Sequence, residues 1–251
     1  MKSIDPNRKI EVMGILNLTP DSFFAPSRYN LPILESGADI VDIGAVSTRP
    51  GAAPVHQEEE WKRLRPVLEL IRDEFPGRRI SIDTFNSETV RRAYDIIGPF
   101  IVNDVTAGDS DPRMLPTAGE LGLTYIPMHH GPAGNCSDIL SFYDGFGIKA
   151  EKYGITDWIV DPGFGFGKTL EQNYGIFHDL GRLRTAGHKI LVGISRKSMI
   201  YKPLGITPEE ALPQTSKLHV EALEMGADII RVHDVEAAFK AVRTYREGVT
   251  R

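Results

Sequence analysis

The sequence predicts one (β/α)8 (TIM) barrel occupying residues 1–251, and three observations carry that expectation. Eight short β-type runs recur along the chain, with helical segments between most of them. Several runs are almost continuously apolar, as strands covered on both faces are. A glycine also stands one to three residues ahead of most runs (Gly37, Gly77, Gly98, Gly122, Gly154, Gly187 and Gly226), where it suits a helix C-cap leading into a short loop.

In chain order the strands are IEVMGILNL (10–18), DIVDIGA (39–45), RISID (79–83), FIVNDV (100–105), LTYIPMH (123–129), DWIVDPG (157–163), KILVGIS (189–195) and DIIRVHD (228–234). The first gap is the weakest link, because PSRYNLPILESG leaves room for barely two helical turns. The second holds HQEEEWKRLRPVLELIRDEF (56–75), in which Trp61, Leu64, Val67, Leu68, Ile71 and Phe75 fall at helical spacing. Its glutamates crowd the first turn, where the helix dipole favours them. NSETVRRAYDIIG (86–98) opens with Asn86 as N-cap, and TPEEALPQTSKLHVEALEMG (207–226) with Thr207 ahead of a proline and two glutamates. Pro213 is expected to divide that segment into two helical pieces. A doubly wound open sheet is the alternative, but it would ordinarily use fewer parallel strands, and no G-x-G-x-x-G follows the first one.

Hydrophobic residues make up 41% and charged residues 25%, enough for a sizeable core and against disorder. The net charge of −5 argues against a nucleic-acid partner, which wants a basic field, while leaving room for a local basic pocket. A single cysteine, Cys136, excludes an internal disulfide and fits a reducing compartment. MKSIDPNRKI has no apolar signal region, and no stretch approaches the ~20 apolar residues of a spanning helix. The expectation is a soluble, cytoplasmic protein with no membrane partner.

In such a barrel the chemistry lies where the strands end. The ends here carry Asn17, Asp42, Asp83, Asn103-Asp104, Met128-His129, Asp161, Ser195-Arg196-Lys197, and Arg231 with His233 and Asp234. Helix capping accounts for one or two such residues, Thr84 and Asn86 among them. It accounts poorly for Arg231 and His233, which share one face of a strand. Arg49, Arg231, His233 and Lys197 form a cationic group suited to phosphate oxygens. Asp83, Asn103 and Asp161 form a donor–acceptor group suited to a flat heterocycle, with Asp42 reading as structural support. His129 and His130 point to opposite faces and no third ligand is placed near them, so zinc is not expected. His56 and His219 read as surface or packing residues on helices, and Cys136 as a loop residue. DPGFGFGKT (161–169) ends like a nucleotide P-loop, yet Pro162 stands where that pattern needs glycine. Gly163, Gly165 and Gly167 instead suit a backbone passing close to a flat ligand, with Lys168 and Thr169 as a solvated helix start.

MGILNLTPDSF, STRPGA, SIDT, IVNDV, DPGFGFGK, GISRKS and RVHDV, in this order, closely resemble the dihydropteroate synthase family, over about Ile10 to Val242. The resemblance implies a (β/α)8 barrel that joins 6-hydroxymethyl-7,8-dihydropterin pyrophosphate to 4-aminobenzoate, releasing pyrophosphate with the help of Mg²⁺. It assigns Asp83, Asn103, Asp161 and Lys197 to the pterin, with Met128 and Phe166 packed near the ring. It assigns Arg231, His233 and Thr48 to the pyrophosphate side and Asn17 to the metal. Phe23, Arg49 and Pro50, on the loops after the first two strands, would complete the 4-aminobenzoate pocket, with Ser195 near the carboxylate. Arg49 and Lys197 are implied as the catalytic cations. The family also implies sulfonamide binding and a homodimer formed through helices away from the site.

Departures from the family pattern gather on the 4-aminobenzoate side. Ala25 stands where the family's first loop carries an aspartate, Pro26-Ser27 replace a Gly-Gly pair, and Val46 replaces a polar residue. The segment before the second strand and HHGPAGNCSDILSFYDG after the fifth are both short. A catalytically weak or inactive pterin-binding paralogue is therefore the alternative. Pterin-binding methyltransferase chemistry ranks lower, because it does not need the SRKS and RVHDV cations.

Overall fold

The computed structural model describes residues 8–19, 31–46 and 56–249. Its frame is eight parallel strands: β1 (Glu11–Asn17), β2 (Ile40–Gly44), β3 (Ile80–Asp83), β4 (Ile101–Asp104), β5 (Thr124–Pro127), β6 (Ile159–Val160), β7 (Lys189–Val192) and β8 (Ile229–Val232). They follow the order β5-β4-β3-β2-β1-β8-β7-β6. The ring closes between β5 and β6 through the bridges Tyr125↔Trp158 and Met128↔Asp161. The expected (β/α)8 barrel is the observed fold.

Strand alternation sorts the side chains into two cores. Val12, Leu16, Val41, Ile43, Ile82, Val102, Val160, Val192 and Ile230 face outward into the large core beneath the helices. Met13, Ile40, Ile101, Ile126, Ile159, Leu191 and Ile229 fill the lumen as a separate apolar layer. Below that layer Glu11 is fully buried between Lys9, Arg79 and Lys189. Burial pushes its carboxyl up, but the three cations outweigh this and hold it at about 2. Above the layer most inward strand-end positions become polar, with Ile15, Val105 and Met128 as apolar exceptions, and this is where the site begins.

The outer layer is α1 (Gln57–Glu74), α2 (Ser87–Ile97), α3 (Met114–Glu120), α4 (Cys136–Tyr153), α5 (Leu170–His178), α6 (Ser198–Leu204), α7 (Leu212–Glu224) and α8 (Val235–Val249). Between β1 and β2 the described residues include a 3₁₀ turn, Leu31–Glu35. All seven glycines expected ahead of strands have positive φ.

Several local expectations are corrected. Asn86 occupies the N-cap of α2 without capping it; its amide donates to the buried Glu60 instead, at 2.7 Å, and Asp111 caps Ser87. Thr207 and Glu210 cap one another across an isolated turn, and α7 begins later, with Pro213 in its first turn rather than between two pieces. Cys136 is not in a loop: it opens α4, fully buried, with Sγ near Ile176 O and Asp179 O. His219 is a buried packing residue of α7.

Candidate active site

A cavity of about 360 Å³ opens at the C-terminal ends of the strands. Its frame follows from register. Asn17 pairs with Gly44, Gly44 with Asp83, and Asp83 with Asn103, so four neighbouring strands deliver one level of side chains to the mouth. Gly44 leaves the space in which Asn17 and Asp83 approach: a Cβ there would lie 3.6 Å from both side chains. All ten described residues expected at the site line this cavity: Asn17, Asp83, Asn103, Met128, Asp161, Phe166, Ser195, Lys197, Arg231 and His233. Phe23, Thr48, Arg49 and Pro50, with Ala25, lie outside the described residues.

The expected division into a cationic and an acidic group does not hold in space. Arg231 reaches across the lumen, its Nε 2.6 Å from Asp42 and its NH2 3.1 Å from Asp83. Asn103 donates to the same Asp42 carboxylate at 3.2 and 3.3 Å. Asp42 is completely buried, so it supports the site from below, as expected. Burial raises Asp83 to about 7; Arg231 opposes the rise and Asp42 adds to it. Its Oδ1 is buried without a hydrogen-bond partner, an acceptor held ready for a donor.

On the opposite wall, Lys197 donates to Phe164 O at 2.6 Å and sits 4.9 Å from the centre of the Phe166 ring. Burial lowers its ammonium to about 8, against the pull of Asp161. Asp161 is raised by burial, with Lys197 opposing. Phe166 is half-buried on the cavity wall, whereas Phe164 is the core residue of the pair. Ser195 Oγ accepts from His233 N at 3.2 Å and lies 3.0 Å from its Nδ1, joining the ends of β7 and β8.

Two readings of the glycine-rich loop change. A Cβ on Gly163 would fall 2.0 Å from His129 O, and one on Gly167 would fall 2.7 Å from the Gly131 Cα. These glycines let loop six pack against loop five, and only Gly165 borders the cavity. Lys168 is no solvated helix start. Its Nζ binds His129 O, Gly163 O and Phe166 O at 2.9–3.2 Å, and burial brings it down to about 8. Thr169 is the N-cap of α5, within a capping box with Gln172.

Arg196 also differs from its neighbours in the SRK triplet. Its φ is 52°, it is buried, and it does not line the cavity. It forks onto Asp234 at 2.7 and 2.9 Å and donates to Pro208 O and Glu209 O. Ser198 and Tyr201, one turn apart on α6, line the cavity and were not anticipated; their i, i+3 spacing after SRK is the signal that marks them. Val105 was missed too, although alternation from Asn103 points it inward. Among the described residues no cluster of three His, Cys, Asp or Glu could hold a metal.

Compared with known proteins, residues 13–233 match the model of the pterin binding enzyme family. The dihydropteroate synthase of Escherichia coli K12 is 39% identical, over 92% of this chain and 89% of that protein. The solved dihydropteroate synthase of Yersinia pestis, in a sulfonamide drug complex, superposes with TM-score 0.90 at 32% identity, covering 99% and 97% of the two chains. That of Thermus thermophilus, in complex with 4-aminobenzoate, gives 0.84 at 33% identity, covering 97% and 95%.

Proposed function

The chain belongs to the dihydropteroate synthase family of pterin-binding enzymes, and from that premise we propose how its cavity performs the condensation of 6-hydroxymethyl-7,8-dihydropterin pyrophosphate with 4-aminobenzoate. The observation that carries the reading is the convergence of ten expected residues on one cavity. A pterin offers amide and amino edges. Asp161 and the unpartnered Oδ1 of Asp83 accept from them, Asn103 and Lys197 complete the pattern, and Phe166 and Met128 flank the ring. Lys197 stays protonated below about pH 8, so it can donate to the pterin carbonyl and balance the acids.

The chemistry is a dissociative substitution at the pterin methylene. The C–O bond breaks with its electron pair leaving on the pyrophosphate, and the pterin ring stabilises the methylene cation. The amine nitrogen of 4-aminobenzoate then forms the C–N bond with its lone pair, and its surplus proton goes to water. No covalent enzyme intermediate is needed; the protein stabilises departing charge and orients the amine. The family motif assigns Arg231 and His233 to the pyrophosphate and Ser195 to the carboxylate of 4-aminobenzoate; all three line the cavity, as does Ser198. Arg49, Thr48, Phe23 and Pro50 belong to the same proposal through the family motif.

The donor set fits Mg²⁺ held mainly by substrate: Asn17 offers one amide oxygen at the mouth, where a hard cation takes its other ligands from phosphate and water. Bound there, the ion would offset charge on the leaving group. The proposal includes a cytoplasmic homodimer. The groove between α7 and α8, lined by Val220, Ala237 and Ala241 with Lys217, Glu221 and Lys240, supports the dimer; separately, among the described residues no helix is long and apolar enough to cross a membrane. Calorimetry with the pterin pyrophosphate and Mg²⁺ tests the site. Saturable binding that weakens in Asp161→Asn is expected, and no detectable heat from the native chain would overturn it.

A further inference from the structure

The eight strands are not joined alike. Seven neighbouring pairs form regular ladders, but β5 and β6 meet only at two bridges, and Pro127 has no N–H to give to that seam. Tyr125 N–H reaches Asp157 O at 3.0 Å below, and His129 N–H reaches Asp161 O at 2.9 Å above. Between them stands the hydroxyl of Tyr143, from the middle of α4. The residue is 2% exposed, with its ring stacked on Trp158 and edge-on to Phe142. Its oxygen accepts the Asp161 N–H at 2.9 Å, and its proton faces Asp161 O at 2.6 Å and Pro127 O at 2.9 Å.

One side-chain oxygen therefore completes the backbone hydrogen bonding at the level where a cavity acid leaves its strand. Asp161 N–H is tied to Tyr143, its C=O to His129 N–H and Tyr143, and its Oδ1 to Gly163 N–H at 2.8 Å. That leaves Oδ2 as the oxygen offered to a ligand. We propose that Tyr143 is a positioning residue for ligand binding: its hydroxyl, inserted in the barrel seam, sets where Asp161 presents its carboxylate, without touching the substrate. The inference rests on the reading of the cavity as a pterin site. If Tyr143 were only a core aromatic, its ring would matter and its oxygen would not.

Tyr143→Phe keeps the ring and removes the oxygen. The expected result is faster deuterium exchange in residues 127–131 and 159–165, with β1 to β4 protected as in the native protein. The Kd for pterin pyrophosphate rises about tenfold, as suits one buried backbone donor left without its partner beside a ligand group. The KM for 4-aminobenzoate stays within about twofold, because that substrate's contacts are elsewhere. Phe146→Leu is the control: Phe146 lies on the same helix against Tyr125 and Trp158, and its side chain has no polar atom with which to hold Asp161. It lowers Tm and leaves the pterin Kd near the native value. Native pterin affinity in Tyr143→Phe, or an equal loss in Phe146→Leu, overturns the proposal. A native chain that binds no pterin pyrophosphate overturns the cavity reading instead. Seam exchange in Tyr143→Phe still reports, in that case, whether the hydroxyl holds Asp161: unchanged exchange overturns the positioning role.

Discussion

Gly163→Ala should be far more damaging than Gly165→Ala, although both glycines have positive φ, at 64° and 84°. Either substitution forces a side chain into the left-handed region, at about 1–2 kcal/mol. At Gly165 the new methyl meets only the flexible Lys197 Cδ at 3.5 Å, so the backbone term is the whole cost. At Gly163 it would lie 2.0 Å from His129 O, more than 1 Å inside the ordinary contact of roughly 3.5 Å. Both partners are backbone, so loops five and six must part, adding about 1–3 kcal/mol of overpacking. The sum is about 2–5 kcal/mol for Gly163→Ala against about 1–2 for Gly165→Ala. The separation also strains the clamp of Lys168, which bonds His129 O and Gly163 O together, and disturbs Asp161 two residues earlier. Urea unfolding gives the stabilities and calorimetry the pterin affinities. Equal stabilities within about 0.5 kcal/mol, or native pterin affinity in Gly163→Ala, would refute this packing argument.

Arg231→Met should cost about 3–5 kcal/mol near neutral pH, because it leaves Asp42 and Asp83 buried without their counter-charge. Asp83, raised from 3.8 to about 7, keeps a proton that the unfolded chain has lost, so its contribution to stability declines as pH rises through that window. Unfolding curves at pH 5 and 7.5 should therefore show the Arg231→Met penalty shrinking at the lower pH. His219 works in the opposite sense: burial lowers it from 6.5 to about 4, with the Asp234 charge opposing. The unfolded chain takes up a proton that the folded chain refuses, and stability falls as pH drops from about 6.5 towards 4. His219→Gln should flatten that slope in urea titrations across the same range. For the metal, Asn17→Ala should weaken the Mg²⁺-dependent binding of pterin pyrophosphate and leave binding of the pterin alcohol, which lacks the phosphates, unchanged in calorimetry.

The barrel was legible because its signals are local. Apolar runs such as KILV and DIIRV, with glycines ahead of them, state strand after strand without reference to the rest of the chain. Strand-end chemistry was legible for the same reason, and register then brought Asn17, Asp83 and Asn103 to one level. What the sequence hid was pairing across the lumen. Nothing local says that Arg231 spends its guanidinium on Asp42 and Asp83, or that Lys168 folds back onto three carbonyls. Gly163 and Gly167 were misread similarly, since the backbone they make room for is some thirty-five residues away. In the sequence Arg196 is only part of the seventh strand's end; its left-handed backbone turns it onto Asp234 while Ser195 and Lys197 face the cavity. Tyr143 carried no signal at all beyond being an aromatic in the segment between the fifth and sixth strands.

The central claim is that this cavity both binds the pterin substrate and turns it over, although the first loop carries Ala25 in place of an aspartate. The direct measurement is a coupled pyrophosphate-release assay with pterin pyrophosphate, 4-aminobenzoate and Mg²⁺, with dihydropteroate quantified in the same samples. The account predicts equimolar pyrophosphate and dihydropteroate, dependent on all three components and depressed in Asp161→Asn. Tight pterin binding with no pyrophosphate release under saturating 4-aminobenzoate would contradict it and identify the chain as a pterin-binding protein without synthase activity.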